Sequence, residues 1–243
     1  MDLCIRKSLL SAATLLTLLS ASAGAQAPAG NGVYHPLDQR TPPGRAGRWS
    51  GIAGHITPGY FQPVRVELPE PGTVTFFNGS RHRTLDLQAP GQVRLAVGEV
   101  YRLRRAGMHS VRGLDLYSWV EVFDPLHPPA GQLDRAPLPI QFTDEEIRFA
   151  LDGRMVTKVV YLEEPRLAPA VDTPSPLPVR NVSNRKNLIA EADLVGRPMA
   201  VIRLGGRLPD INGPDSAFFG SGAPVQAIPT RPADVDQEQR DKP

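Results

Sequence analysis

The chain has 243 residues, 41% hydrophobic and only 6% aromatic, with 26 prolines, 22 glycines, one cysteine and a formal net charge of +2. That length allows one domain of ordinary size or two small ones, and the near-neutral charge gives no global drive towards nucleic acid or an anionic membrane. A single cysteine excludes an internal disulfide framework, so packing must carry stability.

Residues 1–25 read as a cleavable signal peptide. Arg6 and Lys7 precede an apolar stretch, Leu9 to Leu19, and Ala21-Ser22-Ala23-Gly24-Ala25 offers cleavage after Ala23 or Ala25. The stretch is about half of the roughly 20 residues a spanning helix needs, which leaves a retained anchor as the alternative. Cys4 lies before the apolar stretch, where it cannot serve as a lipid-anchor cysteine. The expectation is an exported protein, periplasmic or extracellular, with no stable membrane span after cleavage.

Residues 26–57 are rich in Gly, Pro, Ala and Arg and lack apolar periodicity, which predicts a disordered, flexible leader. From residue 58 to 125 the grammar is β. Val64, Val66 and Leu68 alternate before Pro69, Val74 and Phe76 before Asn78-Gly79, Leu85 and Leu87 before Pro90-Gly91, then Val93, Leu95 and Val97. Val100 to Leu103 and the longer Leu114–Phe123 follow. Five or six short strands at about ten-residue spacing predict a β-sandwich-like part.

Residues 126–209 read as a helix-strand part packing on the same domain, entered through a Pro-rich bridge, Asp124 to Pro139. Thr143 with Glu146 is a capping-box pattern; Ile147, Ala150 and Leu151 form one apolar face, and Gly153 supplies the stop. The strand Met155–Leu162 comes next. The order recurs, with a helical Leu188–Val195, a stop at Gly196 and the strand Met199–Leu204, so Gly153-Arg154 aligns with Gly196-Arg197 as a duplication or as two independent turns. Residues 210–243 read as a disordered tail. The fold class is therefore mainly β, with one or two short α-helices between a loose leader and tail.

Charge is uneven along the chain. Residues 40–113 carry 11 Arg against four acids, and 114–164 four basic residues against ten acids. Such blocks form two mutually attracting faces, or a basic surface open to an anionic envelope polymer.

Little of this points to catalysis. His35, His55, His82, His109 and His127 have no metal-ligand spacing, and Gly205-Gly206 opens no helix, so no metal and no nucleotide cofactor is implied. Ser221 lacks the spacing of a nucleophile elbow. Asp115, Glu121 and Asp124 around the longest strand are the candidate acids for a secreted hydrolase, whereas Asp144, Glu145 and Glu146 already complement a helix dipole. Tyr117 and Trp119 share one strand face, opposite Leu116, Val120 and Val122, and are the candidate binding residues, either exposed or against a further layer.

The runs LHPPAGQ and PLPIQFTDEEIRFALDGRMVTKVVYLEEP within Leu114–Pro165, the later GRPMAVIRLGGRLPD and the earlier GYFQPVRVELP resemble a family of exported proteins of unknown function from planctomycete bacteria. The resemblance covers Gly59 to Asp210. It implies a secreted or envelope setting and brings no catalytic residues. The expected role is a non-enzymatic binding or structural module without cofactors, whose partner is an envelope protein or polysaccharide and not nucleic acid. A hydrolase using the Asp115–Asp124 carboxylates is the alternative.

Overall fold

The computed structural model describes residues 41–54, 56, 59–166 and 179–228. Residues 1–40, 55, 57–58, 167–178 and 229–243 lie outside them, and with them the expected signal peptide, the first part of the expected leader and the end of the expected tail. In chain order the elements are α1 (Arg45–Ile52), β1 (Phe61–Glu67), β2 (Gly72–Phe77), β3 (Thr84–Ala89), β4 (Gly91–Ala96), β5 (Val100–Ala106), β6 (Leu116–Val122), β7 (Leu138–Gln141), α2 (Asp144–Leu151), β8 (Val156–Glu163), α3 (Leu188–Asp193), β9 (Gly196–Gly205), α4 (Asp215–Phe219) and β10 (Val225–Ala227).

The strands form two sheets, ordered β10-β4-β1-β7 and β3-β2-β5-β6-β9-β8. The larger is antiparallel throughout, and the smaller has one parallel pair, β1 with β7. Period-two alternation places Val64, Val66, Val93, Leu95 and Ile140 on the inner face of the small sheet. Val74, Phe76, Tyr101, Leu103, Val120, Val122, Ile202 and Leu204 line that of the large one, and together they make one core. Burying such side chains stabilises the fold by about 1.5–3 kcal/mol each, and this β-sandwich relies on that term in place of disulfides.

The helix α2 forms as its sequence predicts. Thr143 Oγ1 accepts from the Glu146 amide at 3.3 Å, and Glu146 Oε2 accepts from the Thr143 amide at 3.0 Å. Ile147 and Ala150 are buried, while Leu151 stays partly exposed, and Gly153 follows at φ 77°. The helix plugs the sandwich from the inner side of the large sheet.

Beside it lies a cluster of interior charge. On β5, Tyr101 and Leu103 face inward, and by the same alternation so does Arg105, which is fully buried. Its Nη1 donates to Ser118 Oγ at 3.2 Å, its guanidinium lies 4.1 Å from the Phe142 ring centre, and Nε and Nη2 have no hydrogen-bond partner among the described residues. Lys158, inward on β8, donates to both Glu146 carboxylate oxygens at 2.9 Å and to the Gln141 carbonyl. Burial pushes Arg105 down to about 9, and Glu146 opposes the shift; burial likewise lowers Lys158, against the opposing hydrogen bond and charge of Glu146.

Four departures from the sequence reading have local causes. The leader predicted over 26–57 contains α1, because Ala46, Gly47 and Ser50 are small enough to lie flat on the outer face of the large sheet. The bridge ends in β7, whose Leu138 and Ile140 fill the core. The tail predicted from 210 contains α4 and β10, held by Phe218 and Phe219. Gly196 opens β9 in place of stopping α3: a Cβ there would lie 2.2 Å from the Leu162 carbonyl oxygen, so glycine permits the approach of β8.

The two helix-strand units also pack differently. Their strands pair directly, yet α2 lies inside the sandwich, and α3 lies outside it with Ile189 against Phe123 and Val201. Replacing Gly196 with alanine is expected to destabilise the fold by about 1–3 kcal/mol in a urea titration. Gly205→Ala, where a Cβ meets nothing within 4 Å, is the neutral control.

Candidate binding site

Tyr117 and Trp119 lie where strand alternation puts them, on the outer face of β6, opposite the core positions. There they meet another layer. The backbone turns after Gly205, and α4 drops Phe218 and Phe219 onto this face, both buried. Phe218 meets Tyr117 edge-on with ring centres 5.1 Å apart, and Phe219 lies 4.5 Å from Phe77. Tyr117 is 7% exposed, and its burial raises the phenol above its ordinary range.

Arg102, directly across from Trp119 on β5, lies between two rings. Its guanidinium is 3.7 Å from the Trp119 ring centre and 3.9 Å from that of Phe218, and Nε donates to the Phe218 carbonyl at 3.0 Å. Burial, with the Arg207 charge nearby, pushes Arg102 down to about 9, so it remains a cation at neutral pH. Gly220, at φ 78°, turns the chain away; a Cβ there would lie 3.6 Å from the Trp119 ring.

A polar latch fixes α4 to the β2–β3 hairpin. Asp215 accepts from the Ser80 hydroxyl and the Arg81 amide, each at 3.0 Å, and from Arg81 Nε at 2.6 Å. The Arg81 hydrogen bonds hold the Asp215 carboxyl below its usual range. Between latch and ring cluster lies an open cavity of about 280 Å³, lined by Arg81, Arg207, Leu208, Asp215, Phe218 and Phe219. It is close to the roughly 300 Å³ at which small-ligand clefts begin. The 61%-exposed Leu208 stands at its rim.

The candidate acids do not meet. Asp115, just before β6, and Glu121, within it, are six residues apart, about 20 Å along an extended chain. Asp115 lies 3.5 Å from Arg104, and Glu121 is buried, accepting from the Gly47 amide at 2.8 Å with Arg203 at 3.8 Å. Asp124 is paired with Arg197 at 3.2 Å, and His127 is exposed. Glu146 is occupied by its cap and by Lys158, and Ser221 is an exposed residue of the turn beyond α4. Among the described residues no three His, Cys, Asp or Glu side chains gather as metal ligands, and no helix is long and apolar enough to cross a membrane.

Sequence reasoning passed over Phe218, Phe219, Arg102 and the Arg81–Asp215 pair. The usable signal was two adjacent phenylalanines, in a chain with only eight, inside a stretch otherwise read as loose. Set against protein-family models, curated proteins and solved structures, the chain matches none.

Proposed function

We propose that the chain is an exported, non-enzymatic binding module of the cell envelope or extracellular space, and that the α4 face meets its ligand. The observation that carries the reading is the cavity over the Tyr117–Phe218–Phe219 cluster, where Arg207 and Leu208 are open to solvent beside rings already fixed by Arg102. Such a rim recognises a partner carrying both apolar and anionic groups, an envelope protein or an acidic polysaccharide. The resemblance to exported planctomycete proteins and the apolar N-terminal segment support the setting. The alternative, a hydrolase built on Asp115–Asp124, needs converging carboxylates, and the described residues bring none together.

Purified protein incubated with envelope fractions is expected to co-sediment at low salt and to be released at moderate salt. Arg207→Ala with Leu208→Asp is expected to weaken retention about tenfold. Failure to sediment with any fraction at low salt overturns the binding role, and unchanged retention of the double variant moves the site away from α4.

A further inference from the structure

On α1 the packing is inverted relative to an ordinary surface helix. Its buried side is Ala46, Gly47 and Ser50, while the 40%-exposed Trp49 and 78%-exposed Ile52 point to solvent. The docking holds the helix in this orientation. A Cβ on Gly47 would lie 2.4 Å from the Gly98 carbonyl oxygen, so only glycine fits there. The Gly47 amide donates to the buried Glu121 carboxylate, and Arg203 Nη2 donates to the Thr41 carbonyl at 2.8 Å. Glu121 thereby serves a helix start at which Gly44 provides no side-chain cap.

The exposed stripe is Arg45, Arg48, Trp49 and Ile52, spaced at three and four residues, and the helix contains no acid. Arg65, Arg94 and Arg197 elsewhere each meet a carboxylate, whereas Arg45 and Arg48 have no ion pair among the described residues. A fixed surface that offers two unpaired guanidiniums beside an aromatic and a branched aliphatic side chain complements an anionic lipid interface. The cations suit headgroup phosphates, and the indole and Ile52 suit the boundary with the acyl chains. A hydrated polyanion would leave Ile52 without a role.

We infer that α1 docks the protein on the surface of an anionic phospholipid bilayer through Arg45, Arg48, Trp49 and Ile52. This surface is separate from the α4 cavity, and its function does not depend on a ligand there. With eight residues the contact is shallow and reversible.

The test uses the full chain with vesicles of phosphatidylcholine alone, or in equal parts with phosphatidylglycerol, both carrying brominated acyl chains. Trp119 is covered by Arg102 and Gly220, so lipid quenching reports on Trp49, the other of the two tryptophans. Expected are a blue shift and quenching with the anionic vesicles, loss of that quenching in Trp49→Phe, and about 30-fold weaker binding of the Arg45→Gln/Arg48→Gln variant. Three results overturn the inference: attachment without quenching, which assigns membrane binding to the apolar N-terminal stretch; equal binding to both vesicles; or unchanged affinity of the double variant. None of them bears on the α4 variants, whose readout is retention by envelope fractions.

Discussion

Replacing Glu146 with alanine is expected to lower stability by about 3–4 kcal/mol, one of the two largest effects of any single substitution in this fold. Among the described residues Glu146 is the one carboxylate bonded to Lys158, and its field also reaches Arg105. Its removal leaves two cations inside the sandwich and the Thr143 amide without its capping partner. Glu146→Gln separates the two contributions: glutamine can still complete the capping box, so its smaller loss measures the ion pair alone. Urea titrations with an unchanged slope give both values, and melting is expected about 10 °C lower for the alanine variant. A loss under 1 kcal/mol for Glu146→Ala means that water, and not the carboxylate, balances Lys158 and Arg105.

The second large effect concerns the outer layer. Phe218→Ala removes a buried ring that touches Tyr117 and Phe219 and covers Arg102, a change worth about 3–4 kcal/mol. α4 has only five residues and no side-chain cap, so its position depends on its two rings and on Asp215. The expected result is local. Hydrogen exchange is expected to speed up across 215–227 and Trp119 emission to shift red, while the amides of β5 and β6 keep their protection. A fall in global melting temperature without local opening makes α4 an integral part of the core.

The strands were legible because each buries alternate side chains: Val64 with Val66, Val74 with Phe76, and Val93 with Leu95 give the period directly. The helix α2 was legible because the capping box is local chemistry. What stayed hidden depends on partners distant in sequence. Arg105 occupies a core register that hydrophobicity assigns to an aliphatic residue, and its place becomes intelligible only with Phe142, Ser118 and Glu146 around it. Gly47 and Gly196 read as flexibility or a stop signal, while each is there to admit another segment's carbonyl group. The shared face of Tyr117 and Trp119 followed from alternation. Its cover did not, because α4 is short, flanked by Pro214 and Gly220, and held by tertiary contacts.

Only Pro90 separates β3, on the edge of the large sheet, from β4 in the small one. The strap from α4 to β10 runs along the same side, where Tyr101 in the large sheet donates from its hydroxyl to the Pro224 carbonyl at 3.1 Å. On the opposite side the chain crosses from β7 through α2 to β8, and Lys158 ties that crossing to the large sheet through Gln141 and Glu146. The sandwich is thus bound like a book, with a covalent spine along β3 and β4 and a clasp of charge at its fore-edge. The two interior cations, Arg105 and Lys158, lie beside that clasp, against Phe142 and Glu146 where β7 runs into α2.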